Sequence, residues 1–359
     1  MPRLYLSATG FSAVRAVQHQ DSKTYNIQAF MKHIATLLFL GGLFQAWAQQ
    51  APQYSLFALN PYAYNPAYAG LENTLVATGV YRRQWSGLEG APETQHLNAH
   101  LPLYVINSGI GLKIENDVIG AHRTTQGSVS YNYQLELGRN TLLSAGVGIG
   151  FLQYSLDGAK LRAPEGVYPA SGSGTFNHND PNLPEGSVSA ATSVIETGIC
   201  LQTGDLEVGV AVQPIFAPLL SAPSEDTKNS FSIKAVPHYL VHGAYNITLN
   251  KNLSIKPTFL VKSDLKQTQA EISAIFRWRE NIFGGASFRG FGNKSRESAS
   301  IIGGFRLNEK TMLGYAFDIP LAPLSNAQRG SHELLLRYSL NQPIGAGKLP
   351  PVIYNPRFL

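Results

Sequence analysis

The sequence predicts an all-β transmembrane barrel of about fourteen antiparallel strands, of the outer-membrane type, behind a cleaved signal peptide. Three observations predict it. Hydrophobicity has a period of two from Leu75 onward, the connections alternate short and long, and the chain opens with a secretory signal. Composition agrees: only 14% of the 359 residues are charged, against roughly 25% in soluble domains, while Tyr and Phe number 17 each. Mean hydropathy is −0.07, too low for a polytopic helical membrane protein. One Cys excludes a disulfide scaffold and a Cys-ligated zinc site.

Residues 1–30 read as an upstream extension or a start-site error, and residues 31–48 as the signal peptide. Met31 is followed by Lys32 and His33, then by an apolar run from Ile34 to Phe44. Ala46-Trp47-Ala48 is a small-x-small cleavage site, which places Gln49 at the mature N-terminus. A buried helix at 34–44 is the alternative. Removing residues 1–48 lowers the net charge from +5 to +2, because Arg3, Arg15, Lys23, Lys32 and Asp21 are lost. Neither value supports nucleic-acid binding, which requires a clustered basic face. Residues 49–70, rich in Tyr, Asn and Pro, form a periplasmic N-terminal segment.

Residues 71–340 form the barrel and 341–359 a C-terminal tail. Ile110, Leu112 and Ile114 alternate with Gly111, Lys113 and Glu115. Leu334, Leu336 and Tyr338 alternate with Glu333, Arg337 and Ser339, with Leu335 out of pattern. Runs of this kind centre near 78, 98, 112, 130, 148, 197, 209, 241, 257, 273, 286, 302, 315 and 335. Tight links at Tyr104–Asn107, Leu137–Asn140, Thr203–Asp205, Thr248–Asn252, Arg279–Asn281 and Asn308–Lys310 alternate with longer ones. The long links are Gln84–Glu93, Asn116–Arg123, Gly158–Ala190, Pro214–Lys234 and Pro320–Gly330. Short turns at one end and long loops at the other are the layout of a multi-pass outer-membrane barrel, with the short turns in the periplasm. A soluble β-sandwich has no reason to keep one end short.

Charges on strands oppose the apolar face: Lys113, Glu115, Glu136, Arg277, Arg279, Arg306, Glu333 and Arg337. A lipid-facing Arg or Lys at mid-membrane costs about 2–4 kcal/mol, so these side chains point into the lumen. Both signs occur, which suits pairing across a filled interior better than a selectivity ring. Residues 49–70 are placed to cover the periplasmic mouth.

No enzyme chemistry emerges. His332-Glu333 lacks the second His of a zinc protease motif. His96 and His100, like His238 and His242, are four apart. On a strand that separates the rings by ~13 Å, so a metal clamp is not expected. Gly146-Val147-Gly148-Ile149-Gly150 lacks the helix of a dinucleotide site and reads as a smooth strand face. Cys200 lies in an apolar strand pattern and reads as a packing residue. Catalytic residues, metal ligands and cofactors are therefore not predicted.

An ordered set of motifs resembles one family. It opens at Asn65-Pro66-Ala67-Tyr68-Ala69-Gly70 and continues through Tyr81-Arg82, Gln84-Trp85, Gly90-Ala91-Pro92 and Thr94. Asn116-Asp117, Ile119-Gly120 and Arg123-Thr124-Thr125 follow, then Tyr131, Tyr133, Gln153-Tyr154 and Asp157. Later come Leu260-Val261-Lys262, Gly284-Gly285, Phe288-Arg289, Gly314-Tyr315, Asp318 and Ser331-His332-Glu333. Over roughly 53–340 the chain resembles the PorP/SprF outer-membrane proteins of the Bacteroidetes type IX secretion system. The 158–196 stretch and the tail depart from that pattern. The resemblance implies a non-enzymatic barrel serving secretion or surface attachment of cargo with C-terminal secretion domains, including gliding adhesins. It implies periplasmic secretion components, such cargo and outer-membrane lipids as partners. Asn65, Pro66, Tyr68, Gly70, Arg82, Gln84, Trp85, Pro92, Asn116, Asp117, Arg123, Lys262, Arg289, Tyr315, Asp318, His332 and Glu333 carry the motifs. Asn-Pro and Ala-Gly are turn formers, Trp85 suits an interface girdle, and Asp117, Arg123 and His332 lie beside outer loops. Each serves to fix a loop or to contact a partner. The alternative function is a transport barrel, a porin or a hydrophobic-solute channel.

Overall fold

The computed structural model describes residues 52–168, 177–180, 183–216, 219–222, 231–290, 297–321 and 328–340. The expectations for residues 1–48, for the Ala48–Gln49 cleavage and for the tail from 341 lie outside the described residues. Among the described residues, seventeen strands follow one another. They are β1 (Val76–Arg83), β2 (Glu93–Leu103), β3 (Ser108–Ile119), β4 (His122–Gly138), β5 (Thr141–Asp157) and β6 (Ser187–Thr203). Next come β7 (Leu206–Gln213), β8 (Leu219–Ala222), β9 (Phe231–Lys234), β10 (His238–Tyr245), β11 (Ile247–Asn250) and β12 (Leu253–Ser263). The last are β13 (Thr268–Trp278), β14 (Ile282–Arg289), β15 (Ser298–Arg306), β16 (Thr311–Pro320) and β17 (Ser331–Ser339).

Fourteen wall strands close into one antiparallel barrel. Sequential neighbours pair throughout, β1 pairs with β17, and β10 joins β7 to β12. Full closure leaves no sheet edge to satisfy in hydrocarbon. β10 and β11 are two halves of one wall strand, both paired with β12 and interrupted at Asn246. Pro257, which has no N–H to give to a ladder, lies on β12 across from that interruption. The β8–β9 hairpin stands outside the wall, within the β7–β10 connection. All fourteen predicted centres fall inside wall strands.

The long-loop end departs from the sequence expectation in the Pro214–Lys234 link, which holds the β8–β9 hairpin, and again between β3 and β4. The Asn116–Arg123 link is not a loop: β3 and β4 pair through Val118↔Arg123 and Ile119↔His122, leaving Gly120 and Ala121 to turn. Polar residues at Asn116, Asp117, His122, Arg123, Thr124 and Thr125 fall on both faces here, so the period-two signal fades where the hydrogen-bonded ladder continues.

Alternation sorts most faces as predicted, but Glu136 is exposed near the short-turn end of β4, and Arg279 is exposed in the turn after β13 rather than in the lumen, because the strand ends at Trp278. Leu97, Leu112, Ile149, Ile301 and Leu336 are at least half exposed on the outer surface. Lys113, Glu115, Glu333 and Arg337 are buried in the lumen. Leu335, out of pattern in the sequence, points inward and joins a core of Leu56, Phe57, Leu59, Leu260, Ile275 and Ile302. Three members of that core do not belong to the wall. They come from the segment preceding β1, which fills the barrel.

Candidate functional site in the barrel lumen

Residues 53–72 are buried, Ala63 alone being half-buried. Three short 3-10 turns shape them: Phe57–Leu59, Pro61–Ala63 and Pro66–Tyr68. The sequence dictates this form. Pro61 and Pro66 each sit at the first position of a turn, where no N–H is required. Asn65 caps the third turn by accepting a hydrogen bond from Ala67 N at 2.9 Å. Gly70 holds φ at +75°, and a Cβ there would stand 2.8 Å from Pro102 Cα. The segment runs from the long-loop end of the lumen at Pro52 to the short-turn end, where Asn73 meets the Tyr104 hydroxyl. Tyr104 lies in a short turn beyond the wall, and burial pushes its phenol up to about 12. Residues 52–70 are thus a plug within the lumen rather than a cover over its mouth. A fourteen-strand interior is wider than wall side chains alone fill.

Toward the long-loop end, the plug is gripped by charges. Arg82 is 1% exposed and pairs with Asp318 at 2.6 Å and Glu333 at 2.9 Å. Arg289, 2% exposed, pairs with Glu271 at 2.9 Å and approaches Asp318 at 3.6 Å. Ser55 stands at the centre. Its hydroxyl donates to Asp318 at 2.6 Å and accepts from Arg82 and Arg289, both at 2.9 Å. Glu333 accepts the backbone N–H groups of Ser55 (2.6 Å) and Leu56 (3.0 Å). Arg289 also donates to Gln53 at 2.9 Å, and Lys262 donates to the Pro52 carbonyl at 3.2 Å. Two guanidiniums and three carboxylates from five wall strands converge on Gln53, Ser55 and Leu56, and Lys262 of β12 adds the contact to Pro52. Each of these buried charges has an opposite charge in contact, the condition for tolerating burial.

Further along the plug, amides and hydroxyls join Arg337 in holding its backbone. Asn65 donates to the Ile199 carbonyl at 3.0 Å and lies 3.1 Å from His242 Nε2. Asn132 donates to the Ala67 and Ala69 carbonyls at 2.9 and 2.6 Å, and Ser144 donates to Ala67 at 2.6 Å. Gln213 donates to the Tyr64 carbonyl at 2.5 Å, and Arg337 to the Leu59 carbonyl at 2.6 Å. Glu72 pairs with Arg337 at the short-turn end. The wall supplies the partners that the irregular plug backbone lacks. Full burial of Leu56, Phe57 and Leu59 adds about 1.5–3 kcal/mol each.

Glycines on the lumen face admit the plug. A Cβ at Gly109 would stand 2.0 Å from the Ala69 carbonyl oxygen, and one at Gly146 would stand 2.6 Å from Ala67 N. At Gly198 it would meet Asn65 Oδ1 at 2.1 Å. The face at Gly146 is therefore the bed of the third plug turn.

The motif residues separate into three groups, in the lumen, at the β1–β2 loop and on the outer face. Asn65, Pro66, Tyr68, Gly70, Arg82, Lys262, Arg289, Asp318 and Glu333 meet at the plug or on the wall that holds it. Asp117 faces the lumen and accepts from Thr94 at 2.5 Å. Gln84, Trp85 and Pro92 shape the β1–β2 loop instead. Gln84 N donates to Pro92 O at 2.9 Å, and half-buried Trp85, at φ +51°, donates its backbone N–H to Ser331 Oγ at 3.1 Å. Asn116, Arg123, Tyr315 and His332 are on the outer face, where Tyr315 and His332 are 2.7 Å apart. Arg123 and Asp117 lie on opposite faces of the sheet, because Asp117 pairs in register with Thr124. His96 and His100 face the lumen, His96 beside Glu115 (3.1 Å) and His100 accepting from Gly70 N (3.1 Å). Cys200 is buried against the plug with Ala67 and Tyr68.

Sequence reading did not single out Gln53, Ser55 or Glu271, and it took His242 and Gly146 as ordinary strand residues without a plug contact. The glycines carried a readable signal, since they recur at period two on a face that otherwise bears polar side chains. Above the plug remains a cavity of about 390 Å³, between Tyr54, Glu115, Glu196 and Leu152 on one side and Val236 and Lys262 on the other.

Comparison with known proteins follows from this geometry. The family model for type IX secretion system membrane protein PorP/SprF matches residues 46–338. No curated protein matches. Among solved structures, the Ralstonia pickettii toluene transporter TbuX is similar at 12% identity and TM-score 0.45, covering 77% of this chain and 91% of that one. The Pseudomonas putida toluene transporter TodX is similar at 12% identity and TM-score 0.42, covering 77% and 92%. A Pseudomonas aeruginosa FadL homologue is similar at 12% identity and TM-score 0.39, covering 80% and 94%.

Proposed function

Because the chain belongs to the PorP/SprF family of type IX secretion system membrane proteins, we propose that it works as a plugged adaptor rather than a solute channel. It is an outer-membrane barrel of that system, and the observation that carries the reading is the occupied lumen. Residues 53–72 are buried inside the wall and bound to it by hydrogen bonds from end to end. A solute pathway would have to break those contacts.

On this reading the barrel serves secretion or surface attachment of cargo proteins with C-terminal secretion domains, gliding adhesins among them. The large outer segments, 158–196 and 214–234, face that cargo. The short turns and the lower end of the plug face periplasmic components of the machinery. The family motifs that grip the plug are positioning residues in this scheme, and those at the β1–β2 loop shape the outer surface. No residue takes a catalytic role.

The test compares surface and secreted proteomes with and without the gene. Loss of one or a few proteins with C-terminal secretion domains supports a cargo-dedicated barrel. Loss of all of them makes it a core part of the machine. An unchanged proteome, together with solute flux through the purified protein in planar bilayers, replaces the reading with a transport barrel.

A further inference from the structure

The outer wall of β17, β1, β2, β3 and β4 carries a graded surface that the adaptor reading does not use. Register aligns its outward side chains in rows. The row nearest the long loops holds His332, Arg83, Glu93, Val118 and Arg123. Arg83 and Arg123 are exposed, while the one acid in the row, Glu93, accepts the Tyr81 hydroxyl. The next row toward mid-membrane is polar: Tyr81, Gln95, Asn116 and Thr125 follow Leu334. The row below is apolar: Leu336, Gly79, Leu97 and Ile114.

A groove of about 450 Å³ opens over Gly79, flanked by Leu97, Ile114, Leu334 and Leu336. Packing does not require glycine there. A Cβ would meet only Leu97 Cδ1, at 4.0 Å. The site sits at the long-loop end of the wall, hence in the external leaflet. A cationic row, a hydrogen-bonding row and an apolar channel, in that order, match an anionic amphiphile standing in the membrane. Arg83 and Arg123 are three strands apart, roughly 14 Å at strand spacing. One phosphate cannot bridge that span, whereas a head group with two phosphates on a disaccharide does.

We infer that this face binds a phosphorylated, multiply acylated saccharolipid of the external leaflet. Its phosphates meet Arg83 and Arg123, its sugar hydroxyls meet Gln95 and Asn116, and one acyl chain lies in the Gly79 groove. Lipids are a general partner of any membrane barrel; this is a discrete site for one lipid class.

Native mass spectrometry of the full-length protein in detergent, titrated with purified lipid A, tests it. The wild type retains one lipid A. The double variant Arg83→Gln, Arg123→Gln weakens retention about 30-fold, each juxtamembrane cation contributing several-fold. Gly79→Leu fills the groove and also weakens retention. Its heat-modifiable gel mobility stays that of wild type, so it carries the test if the double variant does not fold. Retention unchanged in every folded variant overturns the site. Phosphatidylglycerol competing with lipid A at equal concentration overturns the lipid class.

Discussion

Arg82→Met probes the grip on the plug most directly. Methionine keeps most of the side-chain volume and removes the charge. Arg82 is 1% exposed and touches Asp318 at 2.6 Å, Glu333 at 2.9 Å and the Ser55 hydroxyl at 2.9 Å. Without it, Glu333 loses its ion-pair partner and Asp318 keeps only Arg289, which stands 3.6 Å away and is closer to Glu271 at 2.9 Å. Breaking a buried pair by removing one partner costs about 3–5 kcal/mol, a factor of roughly 10²–10³·⁵ in the equilibrium. The loss divides between plug release and barrel unfolding. Urea unfolding in micelles, followed by gel mobility and tryptophan fluorescence, reads the barrel. Limited proteolysis at Tyr54 to Tyr64 reads the plug. The triple variant with Asp318→Asn and Glu333→Gln removes the uncompensated charge and is expected to recover most of the loss. Wild-type stability and protection in Arg82→Met would refute the electrostatic account. So would a triple variant no better than the single one, which would put the effect on packing.

Three further outcomes follow from the same geometry. Gly146→Leu places a Cβ 2.6 Å from Ala67 N, so the plug is displaced while the barrel still folds; bilayer conductance rises from near zero in wild type to discrete channel steps. Asn65→Ala strips partners from Ala67 N and His242 and costs about 1–3 kcal/mol, seen as faster amide exchange across residues 65–70 with the wall strands unchanged. Leu112→Arg puts a cation on the lipid face and lowers stability in liposomes by about 2–4 kcal/mol, whereas Ser130→Ala, facing the lumen one strand away, changes it by about 1 kcal/mol.

Much of the wall was legible because lipid and lumen impose opposite demands on alternate residues. Ile110, Leu112 and Ile114 can only face hydrocarbon, and Lys113 and Glu115 can only face away from it. Two features escaped that logic. The ladder beyond Asp117 is invisible to an apolar pattern, because both faces there meet water or loops. The partners of the lumen charges were also hidden, since pairing between residues more than 200 positions apart, such as Ser55 and Asp318, leaves no local trace. Of Arg82, Arg289, Asp318 and Glu333, the alternation placed only Glu333 in the lumen, while the other three stood out as motif residues. That they converge on one serine hydroxyl and two backbone amides depends on barrel register, which fixes the heights of β1, β14, β16 and β17.

The same register explains why the plug comes from the chain's own N-terminal side. β1 begins at the short-turn end beside Leu75, so a segment folded back from there traverses the lumen without crossing another strand. Its composition suits that route. Asn and Pro hold tight turns, Tyr and Leu fill volume, and no charge lies between Pro52 and Leu71. Apart from Glu72 at its lower end, the charge that fixes it resides on the wall, where lipid-facing positions forbid it and lumen-facing positions require a partner. A neutral plug in a charged wall satisfies both conditions. Because wall charges on different strands meet through Ser55, moving the plug rearranges pairs on β1, β14, β16 and β17 together. A contact at either mouth that shifts the plug is therefore felt by those four strands, which a lumen merely lined with independent side chains would not transmit.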